Sequence, residues 1–219
     1  MRVDILTMVG MLGEGFLVSL QIFALTLVGS LPLGMLVAFA RMSRFRPLAL
    51  LARFYISVMR GTPLMLQMFA IYFVPYYVFG IGLTTDSKWY ATIVAFIVNY
   101  AAYFAEIYRS GIQSIPRGQH EAAEVLGYSR AQTFCRIVLP QVVKRIMPAM
   151  TNEVITLVKD TSLAFSIGVI EMFTVAKQLV ASQVSMLPFA IAAAFYWVFN
   201  LLVDAVAGRI ERKLSYYHD

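Results

Sequence analysis

The chain has 219 residues, of which 60% are hydrophobic, 14% aromatic and 14% charged, with a mean hydropathy of +0.73. Soluble domains carry about 45–50% apolar and about 25% charged residues, so the composition points away from a water-soluble domain and toward a polytopic membrane protein. The single cysteine, Cys135, excludes an intramolecular disulfide and a multi-cysteine metal site. The net charge of +6 has the sign that suits nucleic acid, but in a membrane protein the placement of Lys and Arg matters more than their sum.

About 20 consecutive apolar residues cross a bilayer as a helix. The uncharged runs are 26 residues between Glu14 and Arg41, 25 between Arg60 and Asp86, 17 between Lys88 and Glu106, and 26 between Lys177 and Asp204. A further apolar pattern begins near Ile146 and passes over Glu153, Lys159 and Asp160. Five spans are therefore predicted, at about 15–40, 61–83, 89–107, 146–170 and 184–207, within a single all-α domain covering residues 1–219. No internal repeat or domain boundary is visible. The first run is too long for a cleavable signal sequence and is expected to be a retained anchor.

Cations are unevenly shared. Five lie between Arg41 and Arg60, six between Arg109 and Arg145 and three in the tail (Arg209, Arg212, Lys213), whereas Arg2, Lys88 and Lys177 stand alone in the alternate loops. The positive-inside rule then places the N-terminus outside and the C-terminus in the cytoplasm. An odd number of spans requires that arrangement.

The loop at about 110–145 is ordered by its residues rather than left as coil. Pro116 suits a first helical turn, the run GQHEAAEVL continues it, and Gly127 fits the position just past a helix end. Ser129 with Gln132 forms a capping box that opens a second helix, with Pro140 at its junction with the next span. On pattern alone this is an amphipathic helix pair on the cytoplasmic face. A DNA-binding helix-turn-helix has similar geometry, but spans on both sides argue against it.

The order Glu121-Ala122-Ala123, Gly127, Ile137 and Leu139-Pro140 resembles, at the right spacings, the "EAA" signature of the membrane subunits of ABC importers. Arg53-Phe-Tyr-Ile-Ser, Arg60-Gly-Thr-Pro-Leu, Asn99-Tyr100-Ala-Ala-Tyr103 with Glu106, and Lys159-Asp160-Thr161-Ser162-Leu163 are similar to segments of the polar amino acid subfamily. The likeness covers nearly the whole chain. It is comparable for cystine, glutamine, arginine and histidine systems, with a slight lean to the cystine type. It implies the type I importer permease fold, multi-pass in a bacterial inner membrane, with Glu121, Ala122, Ala123, Glu124 and Gly127 forming a coupling helix that docks on a separate ATP-binding subunit. It also implies an extracytoplasmic solute-binding protein, met by the 84–88 loop and by a helix expected from Glu171 to Ser185 on the outer surface. A second permease subunit, identical or homologous, is implied as well. No GxxxxGK[ST] occurs in the chain. ATP with Mg²⁺ is therefore expected on the partner, and this chain is expected to be non-catalytic, without cofactor, metal or nucleic acid.

Ionisable residues inside a span are costly and mark functional candidates. Glu153 and Asp160 lie seven residues apart, about 10.5 Å along a helix axis, and share a face. Asn152 and Lys159 occupy the neighbouring one, with Thr156 between. Two readings stay open here: a polar contact that only holds a subunit interface, or a water-filled cavity. In the second, the ammonium of an amino acid meets Glu153 or Asp160, and its carboxylate meets Lys159 or the Thr161 and Ser162 hydroxyls. The excess of carboxylates mildly favours cationic or polar side chains over dicarboxylic ones. Asn99, Tyr103 and Glu106 make one face of the third span that either lines the same path or only packs, and Glu106 has Arg109 in reach at i+3. Arg60-Gly61-Thr62-Pro63 is expected to act as a structural entry to the second span. The aromatics at Tyr72–Phe79 and Trp89–Tyr90 read as an interfacial belt, and His120 and His218 have no metal-ligand company. The rival functional classes are an ion-coupled secondary transporter or channel and a structural scaffold.

Overall fold

The computed structural model describes residues 3–214 and is helical throughout them, apart from short connections. His218, read above as having no metal-ligand company, lies outside the described residues.

Helix α1 (Ile5–Arg41) is 37 residues long and starts ten residues before the expected span. Asp4 caps it, accepting from the Thr7 amide; the Thr7 hydroxyl donates to the same carboxylate and holds it below the usual carboxyl range. Its inward stripe is Leu12, Gly15, Ser19, Ile22, Thr26, Ser30, Gly34 and Ala38, spaced three and four apart and mostly small. Helix α4 (Thr85–Gln113) runs against the later part of this stripe, while Leu12, Gly15 and Ser19 meet the segment from Glu171 onward, and α4 carries its own small residues, including buried Ala91, Ala95, Ala101, Ala102 and Ala105. Lipid is as apolar as leucine, so helices in a bilayer gain by close backbone approach rather than by hydrophobic burial. A Cβ on Gly34 would lie 2.9 Å from Phe104 Cβ and 3.0 Å from the Ala101 carbonyl oxygen. Helix α4 also packs on α2, α3 and α7 (below), and so forms the centre of the bundle.

The cation-rich stretch expected as a loop is a helix, α2 (Arg46–Gly61), with Pro47 in its first turn. Thr62 and Pro63 are extended, as a residue before proline prefers, and α3 (Leu64–Phe79) leaves at 109°. The expected span at 61–83 thus begins at this elbow and ends four residues early, at the left-handed Gly80. The span expected at 89–107 is extended at both ends by α4, which opens with a capping box between Thr84 and Ser87.

After α5 (Arg117–Val125), α6 (Arg130–Thr133) passes through a π-turn at Phe134–Val138 into α7 (Leu139–Asp160). The expected hand-over at Pro140 is instead one continuous rod with a widened turn. Pro140 has no amide for the Arg136 carbonyl and its ring crowds that carbonyl; a π-turn accommodates both. A 3₁₀ segment, Thr161–Ile167, completes the fourth expected span and stops at left-handed Gly168. Glu171 caps α8 (Met172–Gln183), which lies along α1 and α9 (Leu187–Leu214).

Among the described residues three helices, α1, α4 and α9, are long and apolar enough to cross a membrane alone. The count reaches five only if the bent pairs α2–α3 and α6/α7–α8 each serve as one span.

Gly34→Ala is expected to destabilise the chain by about 1–3 kcal/mol, because the methyl group meets backbone and Cβ atoms that cannot turn aside. Gly10→Ala, where a Cβ meets nothing within 4 Å, is the control and is expected to be neutral or slightly stabilising. Thermal unfolding in a mild neutral detergent measures both.

Candidate functional site

Two features carry the chemistry: the α5 loop and a polar face between α2, α4 and α7. Helix α5 ends in a Schellman motif. The Tyr128 amide donates to the Ala123 carbonyl (3.0 Å), the Gly127 amide to that of Glu124 (2.9 Å), and Gly127 sits at φ +76. That φ strains any residue bearing a Cβ, so glycine fits here. The capping box is present in both directions: the Gln132 amide donates to the Ser129 hydroxyl and the Gln132 side-chain oxygen accepts from the Ser129 amide. Arg145 on α7 donates to the Ser114 carbonyl at 2.6 Å, tying the start of the loop to the rod. Glu121, Ala122 and Glu124 are exposed, whereas Ala123 is buried, 1% exposed, on the side of α5 that meets α6 and the π-turn. Of the two alanines, Ala123 makes the close approach within the chain and Ala122 stays free for a partner. Sequence inspection passed over Val125 and Leu126, which are 88% and 73% exposed at the same end. The signal was there: two large apolar residues beside a left-handed turn in a cytoplasmic loop.

On the polar face, α7 is helical through Asp160, so Glu153 and Asp160 share a side, both half-buried. The buried Tyr100 hydroxyl on α4 donates to Asp160 Oδ2 at 2.7 Å. Arg60, at the end of α2, lies with its guanidinium 5.3 Å from the Tyr103 ring centroid and within electrostatic reach of both Glu153 and Glu106. Glu106 pairs with Arg109 on the same helix. Asn152, Thr156 and Lys159 are exposed alongside. The face thus runs from two neighbouring carboxylates, Asp160 and Glu153, through Arg60 to Glu106. Arg60, expected to be structural, stands among the charges. Tyr100, quoted only as part of a motif, is the side chain that fixes Asp160. Neither contact is readable from spacing, because α2, α4 and α7 meet only in the folded chain.

Asn99 and Thr161 stand apart from this face. Asn99 is 4% exposed; its amide donates to the Met59 carbonyl and to Gln67 Oε1, each at 3.0 Å. Gln67 in turn donates to the Met59 and Thr62 carbonyls and to the Thr62 hydroxyl. The pair satisfies the backbone freed by the α2–α3 elbow, which lipid cannot do. Thr161 is 1% exposed and its hydroxyl donates to the Val158 carbonyl at 2.7 Å. In this chain both side chains are turned inward. An apolar groove of about 510 Å³ lies on the opposite side of α7, between α1 and α9, lined by Phe23, Met147, Val154 and Phe199 among others, and has no charged wall.

The expected helix after Glu171 is α8, but Glu171 itself is 0% exposed. Its carboxylate accepts from the Phe173 and Thr174 amides (2.7 and 2.8 Å) and from the Ser19 hydroxyl (3.4 Å), joining α8 to α1. Lys177 lies over the Phe165 ring at 5.3 Å. Among the described residues no cluster of three or more His, Cys, Asp or Glu could hold a metal.

Comparison with known proteins places these features in a family. The profile of the binding-protein-dependent transport system inner membrane component matches residues 30–216. The chain is 38% identical over 204 residues to the arginine transport system permease protein of Bacillus subtilis, covering 92% of this chain and 91% of that one. It is 36% identical over 208 residues to the L-cystine transport system permease protein of the same organism (94% and 87%). It is also 36% identical over 203 residues to a putative glutamine transport system permease protein of Rickettsia conorii (92% and 91%). Among solved structures it is similar to an amino acid ABC transporter crystallised with histidines, with a TM-score of 0.86, 33% identity, and coverage of 97% of this chain and 100% of that one. The inward-facing MetNI methionine ABC transporter shares the fold, with a TM-score of 0.71 at 18% identity over 93% and 94% of the two chains.

Asn99→Ala removes the donor to the buried Gln67 amide oxygen and one of the two donors to the Met59 carbonyl, and is expected to cost about 1–3 kcal/mol in thermal unfolding. Asp160→Asn keeps an acceptor for the Tyr100 hydroxyl and is expected to unfold within about 1 kcal/mol of the unchanged chain.

Proposed function

We infer the function of this chain from the family to which it belongs, the binding-protein-dependent transport system inner membrane components: it is the multi-pass permease subunit of an ATP-driven ABC importer of polar L-amino acids. The observation that carries this reading is the exposed α5 helix. Its Glu121-Ala122-Ala123 run, Schellman turn at Gly127 and rigid tie to α7 are those of a coupling element, and they sit on a chain whose relatives are amino acid permeases. Nothing favours an ion-coupled carrier.

In the proposed assembly two permease subunits, identical or homologous, face each other across the charged side of α7. This arrangement removes Asn152, Glu153, Thr156, Lys159 and Asp160 from lipid, where they would be costly. Five spans cross the membrane, with the N-terminus outside and the cation-rich loops in the cytoplasm. An ATP-binding subunit, which binds ATP with Mg²⁺, docks on α5. Glu121 and Glu124 supply charge to that contact, Val125 and Leu126 supply apolar surface, and Ala122 permits close approach. A solute-binding protein meets the opposite side near the α3–α4 connection and α8. Closure of the ATPases moves α5, and the rod from α6 to Asp160 carries that motion to the path.

Substrate is held by charge rather than by reaction. Asp160, positioned by Tyr100, and Glu153 take the ammonium, while Lys159 and Arg60 take the carboxylate, with Tyr103 beneath Arg60. Asn99 and Thr161 support that wall from behind. The chain forms no covalent bond and contributes path and gating. The carboxylates favour amino acids with cationic or polar side chains over dicarboxylic ones.

Reconstitution of the permease with its ATPase and binding protein in liposomes tests this. ATP-dependent uptake of a labelled polar amino acid is expected. Asp160→Asn is expected to lower uptake roughly ten- to a hundredfold, the value of a charge-assisted contact, with the complex intact. Uptake by the chain alone without ATP overturns the reading. Val125→Asp with Leu126→Asp is expected to abolish substrate-stimulated ATP hydrolysis while leaving the unfolding midpoint of the permease unchanged, since both side chains point away from the chain.

A further inference from the structure

We propose that α2 is an interfacial helix that binds the anionic phospholipid headgroups of the leaflet on its own side of the membrane, through Arg44, Arg46 and Arg53. The proposal rests on the membrane-spanning reading of the chain but not on its substrate or partners.

Helix α2 has three sides. The first packs on α1 and α4: Ala52 and Ile56 are buried, Met59 is half-buried, and the Tyr55 hydroxyl donates to the Val98 carbonyl of α4. The second is apolar and open: Leu50, Leu51 and Phe54 are 63%, 66% and 68% exposed, with Phe45 at 65% just before the helix. The third is basic: Arg46 and Arg53 are exposed seven residues apart, two turns along one line, with exposed Arg44 preceding them. The basic and apolar sides adjoin.

Charge and orientation choose the occupant. Residues 41–61 contain no Asp or Glu, and none of the three arginines has a carboxylate within 4 Å among the described residues. Among the described residues, then, these three arginines have no acidic partner to supply a counter-charge. Helix α3 leaves α2 at 109°, so α2 runs across the direction of α3, and within this bent pair α3 carries the crossing while α2 turns toward the membrane plane. A helix in that plane, with large apolar side chains on one exposed side and arginines beside them, has the pattern of an interfacial anchor. The rings and leucines reach the acyl boundary, and the guanidiniums stay at headgroup level and meet phosphate there. A soluble protein partner on this surface requires burying Phe54 and Leu51 outside the bilayer, on a helix already at the bilayer's edge. The apolar patch on α5 serves that role without α2.

The test uses the full chain purified in dodecyl maltoside. Phosphatidylglycerol is expected to raise the unfolding midpoint more than phosphatidylcholine does, and salt is expected to weaken the effect. Arg44→Gln, Arg46→Gln and Arg53→Gln combined are expected to raise the phosphatidylglycerol concentration needed by roughly tenfold or more. Arg53→Lys, which keeps the charge, is expected to retain most of the response. Inorganic phosphate and glycerol 3-phosphate are expected not to reproduce it. In vesicles of phosphatidylcholine and phosphatidylglycerol, a nitroxide on Phe54→Cys, in a Cys135→Ser background, is expected to be open to oxygen and shielded from a water-soluble nickel chelate. Equal stabilisation by the two lipids, an unchanged response in the triple variant, a matching effect of free phosphate, or a nickel-accessible label at position 54 overturns the proposal. So does a triple variant that keeps its lipid response but no longer binds the ATPase.

Discussion

A methyl group at Gly34 would come within 3.0 Å of the backbone of α4, and small residues on both helices accompany that close approach. Water does not drive two helices together inside a bilayer, so contact has to be won by van der Waals fit between small side chains and by polar links. Helix α4 is held centrally by this contact and presents its other sides to α2, α3 and α7. Tyr100, Tyr103 and Asn99 all ride on α4; Tyr100 reaches α7, Tyr103 reaches α2, and Asn99 bridges α2 and α3.

The polar residues divide by what lipid forbids. Bending α2 away from α3 releases backbone carbonyls at Met59 and Thr62, and Asn99 and Gln67 satisfy them from inside the bundle. Glu171 does the same for the first amides of α8 while reaching Ser19 on α1. Those groups are buried and spoken for. Glu153, Lys159 and Asp160 lie on the opposite side of α7 from the apolar groove, half-buried or exposed in a single chain. Ionisable side chains left open on a membrane helix belong against protein or water rather than lipid, which is the ground for the proposed path between two subunits.

Local features of the sequence were legible. The Ser129–Gln132 box and the glycine at the end of α5 depend on residues within four positions of each other, and the structure has both. The Glu106–Arg109 pair is of the same kind. Helix α2 was missed because five cations in a stretch of twenty residues read as a loop, although its apolar residues recur on one side; charge density masks helical period when the helix lies at an interface. The length of α1 was underestimated because Glu14 ended the uncharged run, yet a helix at a membrane edge continues through one charge. Asn99 shares a helix face with Tyr103 and Glu106 by spacing, and Thr161 offers a hydroxyl beside Asp160, but in the fold both side chains bond to backbone or to Gln67. Which polar groups a fold spends on its own backbone is settled by partners thirty or more positions away, such as Met59 and Gln67.

By itself, then, the sequence determined the membrane class, the approximate course of the long apolar helices, the capped loop before α7 and the charged residues that α7 carries, because each depends on composition or on neighbours along the chain. The tertiary structure alone decided that Asp160 is fixed by Tyr100, that Arg60 joins the charged face, that Ala123 turns inward while Ala122, Val125 and Leu126 stay open, and that α2 lies across the direction of α3. These follow from where separate helices meet, and that is set by the close packing of small residues between α1 and α4.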